Sequence, residues 1–305
     1  MAHESSQDRE GLIGREFGNV VLVRELGRGT MGAVFVGYQK SLKRQVAVKL
    51  LPKAKAGSES ARIQFRDEAE TVAILSHPNI VPIFEIGEDD EFYFQVMQLV
   101  VGSDFGRMIR DRRKHPLPSK RLLPPARVIE LVLGALDGLA CAHAEGVIHQ
   151  DIKPANIMIE ESSGRPLLVD FGIAKTARIE SWSTGKIVGS ALYLAPEQAA
   201  GQETDARADI YSMGVVLFEA LAGQLPVRAD EDDRQLLVRK IRAPETVWLR
   251  SPTESSPNID AAIERIILTA AAPHRSDRYP NCAAFRDALK AWRPEAATEI
   301  RSPLG

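Results

Sequence analysis

The sequence predicts an α+β fold in which a small β-rich unit precedes a larger helical unit. Three short runs rich in β-branched residues, VVLVREL, AVFVGYQ and QVAVKLL, lie between residues 20 and 51 and indicate strands. Two further strands are predicted at residues 80–86 and 92–99. After Val100, apolar residues recur mostly with the 3.6-residue period of helices, so the boundary between the units falls near residues 100–102.

The bulk composition is that of an ordinary globular protein. Of the 305 residues, 44% are hydrophobic and 26% are charged, which allows a buried core. The formal net charge of -2 provides no global basic field, so we expect no nucleic-acid partner. No apolar run reaches the roughly 18 residues that a membrane-spanning helix needs. Residues 1–16 are expected to be a disordered polar leader and residues 295–305 a flexible tail.

Three glycines, Gly27, Gly29 and Gly32, lie in the turn between two predicted strands. Glycines let a hairpin backbone close over phosphates with no side chain in the way. The same spacing occurs in dinucleotide-binding folds, but there it opens a helix, whereas here a strand follows. The pattern favours a flap over bound phosphates, with a plain β-turn as the alternative.

Lys49 closes an apolar strand. Taken alone, it could be an edge lysine whose stem covers apolar surface. A carboxylate about one helix away would instead fix its ammonium group against the α- and β-phosphates of a nucleotide. Glu68, inside a helix predicted at residues 58–76, is the expected partner. Asp67 and Glu70 are alternatives that point to other faces of that helix.

The strongest local signal is the loop HQDIKPAN at residues 149–156. In such a loop Asp151 can accept a hydroxyl proton, Lys153 can meet a transferring phosphate, and the amide oxygen of Asn156 can bind Mg²⁺. A second carboxylate suited to Mg²⁺, Asp170, ends an apolar strand and opens the sequence Asp-Phe-Gly. Each motif alone could be an ordinary polar loop, but their order and spacing argue against coincidence.

Together with Ala-Pro-Glu at residues 195–197, these motifs resemble those of the eukaryotic protein kinase family, and within it the bacterial Hanks-type serine/threonine kinases. The resemblance implies a bilobal protein-kinase fold over residues 17–294, with a β-rich N-lobe at 17–99 and a helical C-lobe at 102–294. It implies transfer of the γ-phosphoryl group of ATP to a protein hydroxyl, with Asp151 as catalytic base. Mg²⁺ is the expected metal, and Mn²⁺ is an alternative for the same oxygen ligands.

Further site residues are carried over from the resemblance position by position. The expected ATP-binding residues are Leu26, Gly27, Gly29, Gly32, Val34, Ala47, Lys49, Met97, Gln98, Val100, Asp104, Met158 and Asp170. The expected catalytic residues are Asp151, Lys153, Asn156, Lys49 and Glu68. The expected metal ligands are Asn156 and Asp170.

The resemblance also implies contacts that support the site. Asp209 is expected to anchor the catalytic loop from below, and Glu197 is expected to pair with Arg278. Lys153, together with a Gly-Ser pair upstream of residues 195–197, resembles the pattern of serine/threonine rather than tyrosine specificity.

One position departs from the family in a way that concerns regulation. Gln150 stands where the family usually carries an arginine, which pairs with a phosphate on the activation loop. A neutral glutamine cannot supply charge-assisted pairs. We therefore expect an active geometry that does not depend on activation-loop phosphorylation. Thr184 occupies a position that is often phosphorylated, and Ser190 replaces the usual threonine but keeps the hydroxyl group.

Partners and location remain open. Residues 107–121 contain seven Lys or Arg residues and one acid, Asp111. The simplest interpretation is a solvated basic loop, and the alternative is a docking surface for an acidic partner or a membrane. A kinase dimer is also left open. We expect a cytoplasmic protein, with the cytosolic portion of a membrane-anchored receptor kinase as the alternative.

Two other functions compete with an active protein kinase. A pseudokinase scaffold would require loss of a chemical group, whereas Gln150 is the only notable change and is regulatory in the family. A small-molecule kinase of related fold would lack the Ala-Pro-Glu segment and the lysine two residues after the catalytic aspartate, but residues 195–197 and Lys153 are both present.

Overall fold

The β-rich unit is a six-stranded antiparallel sheet in a computed structural model. The structure describes residues 11–29, 32–55, 72–171, 191–226, 233–248 and 251–292. In the order β1-β2-β3-β4-β6-β5, the sheet contains β1 (Glu16–Phe17), β2 (Val20–Arg28), β3 (Ala33–Gln39), β4 (Arg44–Pro52), β5 (Ile83–Glu88) and β6 (Phe92–Gln98). The expected strands are thus present, and they form the N-lobe.

Alternation along the strands creates the N-lobe core. On β4, Val46, Val48 and Leu50 are almost completely buried, because side chains two residues apart lie on the same face of a strand. Phe17 packs edge-on against the rings of Phe92 and Phe94. The β-branched residues that predicted these strands therefore supply their buried face.

The strand predicted at residues 80–86 begins later than expected, at Ile83. The residues before it pair with another part of the chain. Ile80 forms a parallel bridge with Leu168, and the backbone N–H of Val81 donates to the Leu168 carbonyl at 3.0 Å. This segment joins the two lobes. Most of the helix predicted at residues 58–76 lies outside the described residues.

The folded unit extends into the predicted leader. Arg15 binds the carboxylates of Asp89, at 2.8 Å, and Glu91, and its guanidinium lies over the rings of Phe17 and Phe92. The expectation of a disordered leader through residue 16 is therefore wrong for its last residues, because an acidic hairpin tip holds Arg15. The first ten residues and the predicted tail lie outside the described residues.

The second unit is mainly helical and forms the C-lobe. Its described helices are α1 (Phe105–Arg113), α2 (Pro125–Ala144), α3 (Pro196–Ala199), α4 (Arg207–Ala222), α5 (Asp233–Arg242), α6 (Pro252–Ser255), α7 (Ala261–Ala270) and α8 (Cys282–Ala291). Apolar periodicity in the sequence predicts five helices, at residues 126–145, 209–222, 234–241, 259–271 and 283–292. The structure has them as α2, α4, α5, α7 and α8, which agree to within two residues at each end. Among the described residues, no helix has the length and apolar character needed to cross a membrane.

Helix α4 is the centre of the C-lobe. Fourteen of its sixteen residues are buried, so it packs on nearly every side. It ends at Gly223, which adopts φ 66°, a left-handed conformation that glycine reaches without steric cost. The helix can therefore serve as a rigid support for the loops around it.

A small three-stranded sheet lies at the lobe junction, formed by β7 (Gly102–Asp104), β8 (Ile157–Glu160) and β9 (Pro166–Leu168). Helix α1 starts directly after β7, where the carboxylate of Asp104 accepts a hydrogen bond from the backbone N–H of Arg107 at 2.8 Å. Phe105 and Ile109 are buried. The interpretation of residues 107–121 as a loop is therefore wrong for their first half, since a capped amphipathic helix forms there.

A buried ion pair ties the start of α3 to the segment before α8. Arg278 donates to both carboxylate oxygens of Glu197, at 2.6 and 2.8 Å, which confirms the expected pairing. Arg278 also donates to the carbonyls of Arg207, Ala272 and Pro273. A buried charge is tolerated when its hydrogen bonds are satisfied in this way.

Substitution of Arg278 by methionine should strongly destabilise the C-lobe. It would leave the Glu197 carboxylate buried without its cation, at a cost of about 3–5 kcal/mol. Urea denaturation checks this value. The matched control is Arg107→Met, which removes an exposed pair with Asp111 (3.5 Å) and should cost less than about 1 kcal/mol. Equal losses in the two variants would contradict the assignment.

Candidate active site

The loop at residues 149–156 brings together the side chains expected from the sequence. Lys153 Nζ donates to Asp151 Oδ2 at 2.8 Å. Asn156 Nδ2 donates to the same carboxylate oxygen at 3.0 Å and to the Asp151 carbonyl at 2.8 Å. The carboxylate of Asp151, the candidate proton acceptor, is therefore held in place by a cation and an amide.

Asp209 anchors this loop from the central helix, as expected. Its carboxylate is fully buried and accepts hydrogen bonds from the backbone N–H groups of His149, at 2.8 Å, and Gln150, at 2.7 Å. His143 Nε2 lies 2.8 Å from Asp209 Oδ2. Gln150 adopts φ 62°, a left-handed conformation that is uncommon for residues other than glycine. The turn immediately before Asp151 thus depends on this carboxylate.

Lys49 and Asp170 approach each other from opposite lobes. Lys49 Nζ lies 2.5 Å from Asp170 Oδ1. Burial alone would raise the pKa of the Asp170 carboxyl, but the charge and hydrogen bond of Lys49 outweigh this effect, so the pKa lies below its usual value. Asp170 therefore stays anionic. Glu68, the expected partner of Lys49, lies outside the described residues.

His149 connects the loop to the residues around Asp170. Its ring lies 4.4 Å from the ring of Phe171, centroid to centroid. Nδ1 accepts from the backbone N–H of Asp151 at 3.3 Å, so Nε2 carries the proton that is donated to the Val169 carbonyl at 3.0 Å. Burial lowers the pKa of His149 despite the nearby carboxylates, and the ring is therefore neutral.

The strands of the N-lobe form the roof of the cleft. Ala47 lies opposite Met97 in the β4–β6 pair, and Val34 lies opposite Lys49 in the β3–β4 pair. A Cβ atom at Gly32 would lie 1.9 Å from the Leu50 carbonyl oxygen, so the hairpin can close here only with glycine. Gly27 and Leu26 lie on β2, and Gly29 N donates to the Gly32 carbonyl at 2.8 Å.

The floor and rear of the cleft come from the lobe junction. Met158 on β8 lies opposite Asp104 on β7. Gln98 ends β6, and Val100 lies between β6 and β7, as expected for a connection between lobes. For Asp104, one of the expected ATP-binding residues, the resemblance implies a contact with the ribose, but one of its carboxylate oxygens already caps helix α1. Its second carboxylate oxygen is the atom that such a contact would require.

The family model described as "Protein kinase domain" matches residues 20–288. The chain belongs to the protein kinase domain family. The kinase domain is 35% identical to the serine/threonine-protein kinase Pkn1 of Myxococcus xanthus over 287 residues. It is 36% identical to the tyrosine-protein kinase MasK of the same species over 294 residues.

These alignments cover 92% of the chain but only 39% of Pkn1 and 44% of MasK. The kinase domain therefore spans about two fifths of the length of these relatives. Among solved structures, the PknI kinase domain of Mycobacterium tuberculosis has a TM-score of 0.73 at 29% identity, with 91% of this chain and 97% of that chain covered. The α+β bilobal architecture is thus that of a kinase domain.

Sequence reasoning missed several residues that support the site of the kinase domain. Gln198 Nε2 donates to the Gln150 carbonyl at 3.0 Å, and Gln198 Oε1 accepts from the backbone N–H of Ala195 at 3.0 Å. Cys282 Sγ lies 3.5 Å from His143 Nδ1 and extends the chain of contacts that leads to Asp209. The contact between Gln198 and Ala195 follows the spacing of a helix capping box, which was the available signal. No spacing rule predicts the other two contacts, whose partners are 48 and 139 residues apart.

The donor set of the kinase domain fits a hard divalent cation. Asn156 and Asp170 offer amide and carboxylate oxygens, which Mg²⁺ prefers. The backbone N–H of Val169 donates to the Asn156 carbonyl at 3.1 Å, so the two candidate ligands lie on adjoining strands of chain. Since Asn156 Nδ2 is turned toward Asp151, Oδ1 is the amide atom left for a metal.

The regulatory residues are only partly described. Gln150 contributes its backbone to the loop anchor, whereas Thr184 and Ser190 lie outside the described residues. In the basic segment, Arg107 and Lys114 lie 3.5 and 3.7 Å from Asp111. Some of its charge is thus balanced locally, and an acidic partner stays a prediction, as does a kinase dimer.

Replacement of Asp209 by asparagine should loosen the loop. Asparagine offers one acceptor oxygen where the carboxylate offers two, so at least one N–H of His149 or Gln150 would lose its charge-assisted bond. A loss of about 1.5–3 kcal/mol corresponds to roughly 10- to 100-fold faster amide exchange of the two N–H groups. Hydrogen exchange read by mass spectrometry measures this change. The control is Asp205→Asn, because this exposed carboxylate pairs with Arg207 near the same helix end. Unchanged amide exchange of the loop in Asp209→Asn would contradict the role of Asp209 as its anchor.

Proposed function

We propose that this chain is an active protein serine/threonine kinase that transfers the γ-phosphoryl group of Mg-ATP to protein hydroxyls. The observation that carries the proposal is the Asp151 carboxylate, which binds Lys153 and Asn156 on a loop whose His149 ring contacts Phe171, the residue after Asp170 of the Lys49–Asp170 pair. A general base, a phosphate-binding cation and two metal-binding oxygens are the groups that phosphoryl transfer requires. The proposed use of ATP also fits the expected cytoplasmic location.

In the proposed reaction, Asp151 orients the acceptor hydroxyl and takes its proton as the oxygen attacks the γ-phosphorus. The bond from the γ-phosphorus to the bridging oxygen breaks, and ADP leaves with that oxygen. The ammonium of Lys153, held at 2.8 Å from Asp151, stabilises negative charge on the transferring group. Asn156 and Asp170 hold the metal, and Mn²⁺ can replace Mg²⁺ on these oxygens. When bound, Mg²⁺ would neutralise negative charge on the phosphates.

Nucleotide binding would rearrange the Lys49–Asp170 contact. Lys49 would turn to the α- and β-phosphates, with Glu68 as its partner, and Asp170 would turn to the metal. The lowered pKa of Asp170 supports this role, because the carboxylate needs no deprotonation before it binds a cation. Leu26, Val34, Ala47 and Met158 are proposed to enclose the adenine, whose edge would face the backbone of residues 98–100.

Serine or threonine is the proposed acceptor. Lys153 follows Asp151 by two residues, and Pkn1 and the PknD of Mycobacterium tuberculosis are named serine/threonine-protein kinases. MasK, at 36% identity, is named a tyrosine-protein kinase. Analysis of the phosphorylated amino acid in the product therefore belongs to the test, and phosphotyrosine alone would contradict this part of the proposal.

The Asp151→Asn variant should lose about 10²- to 10⁴-fold in phosphoryl transfer, because the general base is removed. Transfer is measured with ATP labelled in the γ-phosphate, alone and with dephosphorylated casein as acceptor. Asp111→Asn, which changes an exposed carboxylate on α1, serves as the matched control. Nucleotide binding without transfer by the unsubstituted chain would support a pseudokinase. Transfer to a small molecule but not to protein would support a small-molecule kinase.

We further propose that activity does not depend on phosphorylation of Thr184 or Ser190. Gln150 cannot form the ion pair through which a phosphorylated loop is usually ordered. The Thr184→Ala variant should therefore change the rate by less than about tenfold, whereas one lost charge-assisted contact of about 1.5–3 kcal/mol would cost more than that. Initial rates on casein measure the change, with Gln150→Arg as the comparison. Loss of activity in a folded Thr184→Ala variant would refute the proposal.

A further inference from the structure

A charged side chain is completely enclosed in the C-lobe away from the candidate active site. Lys240 on α5 has no exposed surface. Its ammonium donates to the backbone carbonyls of Leu192, at 2.9 Å, and Leu194, at 2.6 Å, and lies 5.2 Å from the ring centre of Tyr211. A lysine is almost never fully buried unless it has partners of this kind. The contact is therefore a specific attachment of α5 to residues 191–195.

Residues 191–195 are held from two sides. Lys240 binds alternate carbonyls, and the carbonyl between them, that of Tyr193, accepts from Ser212 Oγ at 2.8 Å. The Tyr193 hydroxyl donates to Glu219 at 2.6 Å. Ala191 and Leu194 also belong to one buried apolar cluster with Leu236 and Leu237 of α5. Side chains of α4 and α5 thus determine the path of this segment, which turns at residues 191–193.

The same segment is bonded to the catalytic loop. The backbone N–H of Ala195 donates to Gln198, and Gln198 donates to the Gln150 carbonyl, both at 3.0 Å. Only three hydrogen bonds therefore connect Lys240 with the peptide that precedes Asp151. The two hydrogen bonds of Gln198 place the end of this segment next to the loop that carries Asp151, so a protein bound with its hydroxyl group at Asp151 would lie close to it.

We propose that Lys240 is a positioning residue for the protein substrate, which acts by fixing the path of residues 191–195 beside Asp151. This inference rests on the proposed kinase function. The ATP-binding residues lie on the N-lobe strands and at the lobe junction, outside the contacts of Lys240. Loss of the ammonium should therefore weaken binding of protein and leave binding of ATP nearly unchanged.

The electrostatic surroundings predict that the effect depends on pH. Burial, together with the positive charges of Arg278 and Arg239, lowers the pKa of Lys240 from 10.5 to about 7, and Glu197 acts in the opposite direction. Tyr211 is the remaining titratable group against the ammonium, and burial raises its pKa, so it stays neutral. As the pH rises through 7, the ammonium loses its charge and its hydrogen bonds weaken.

The sign of this change separates positioning from unfolding. The pKa of Lys240 is lower in the folded chain than in the unfolded chain. Between pH 7 and 10.5 the unfolded chain therefore binds the proton more tightly, and this group makes the fold more stable as the pH rises. If binding of the protein substrate weakens over the same rise in pH, deprotonation of Lys240 cannot have caused this by destabilising the fold.

The Lys240→Met variant tests the proposal in the full chain. Two charge-assisted bonds are lost, so the KM for casein should rise by at least about tenfold, while the KM for ATP should change less than about twofold. In the unsubstituted chain the KM for casein should rise with pH around pH 7, and this step should be absent in the variant. Arg242→Met, an exposed change at the end of the same helix, is the matched control and should leave both KM values unchanged.

Three results would overturn the proposal. The first is an unchanged KM for casein in a folded Lys240→Met variant. The second is a parallel loss for ATP and casein. If Lys240→Met does not fold, Lys240→Gln takes its place, because glutamine keeps N–H donors without the charge. The third result is a KM for casein that still rises around pH 7 in Lys240→Gln.

Failure of the proposed function would be recognised separately, as absence of transfer by the unsubstituted chain. Amide exchange of residues 191–199 then decides the role of Lys240 without any catalytic readout. Faster exchange in Lys240→Met than in Arg242→Met is expected because the segment loses its attachment to α5. Equal exchange in the two variants would overturn the positioning role.

Discussion

A buried carboxylate joins the central helix of the C-lobe to the loop that carries Asp151. Asp209 accepts from the backbone of His149 and Gln150, and no solvent competes for these bonds. Because α4 packs on nearly all sides, its position is set by the whole lobe, and the carboxylate transfers that position to the loop. The geometry of the candidate site is thus a property of the lobe core rather than of the loop sequence.

Two residues next to this network adopt conformations that their side chains disfavour. Gln150 and Asp170 have φ values of 62° and 60°, and such positions cost of order 1–3 kcal/mol each. At Gln150 both peptide groups are held, the N–H by Asp209 and the carbonyl by Gln198. At Gln150, tertiary hydrogen bonds therefore outweigh the intrinsic backbone preference of the residue.

Local patterns were sufficient for much of the fold and for the site residues with distinctive spacing. Periodicity located α2 and α4, and the loop at residues 149–156 identified Asp151. Lys240 was missed because a basic helix end resembles a solvated face. Its spacing from Leu236 and Leu237, four and three residues before it, placed it on the apolar face and was the available signal. Its backbone acceptors leave no trace in the sequence, since any residue has a carbonyl group.

The contacts of Arg15 with Asp89, Glu91, Phe17 and Phe92 have a practical consequence for shortened forms of the chain. The guanidinium joins the segment before β1 to the tip of the β5–β6 hairpin and covers two phenylalanine rings of the N-lobe. The motif-based boundary at residue 17 would cut between this arginine and the sheet that it covers. A recombinant fragment that begins there would expose Phe92 and leave two acidic side chains without their cation. A fragment that keeps these contacts therefore begins upstream of the first residue that the family motifs indicate.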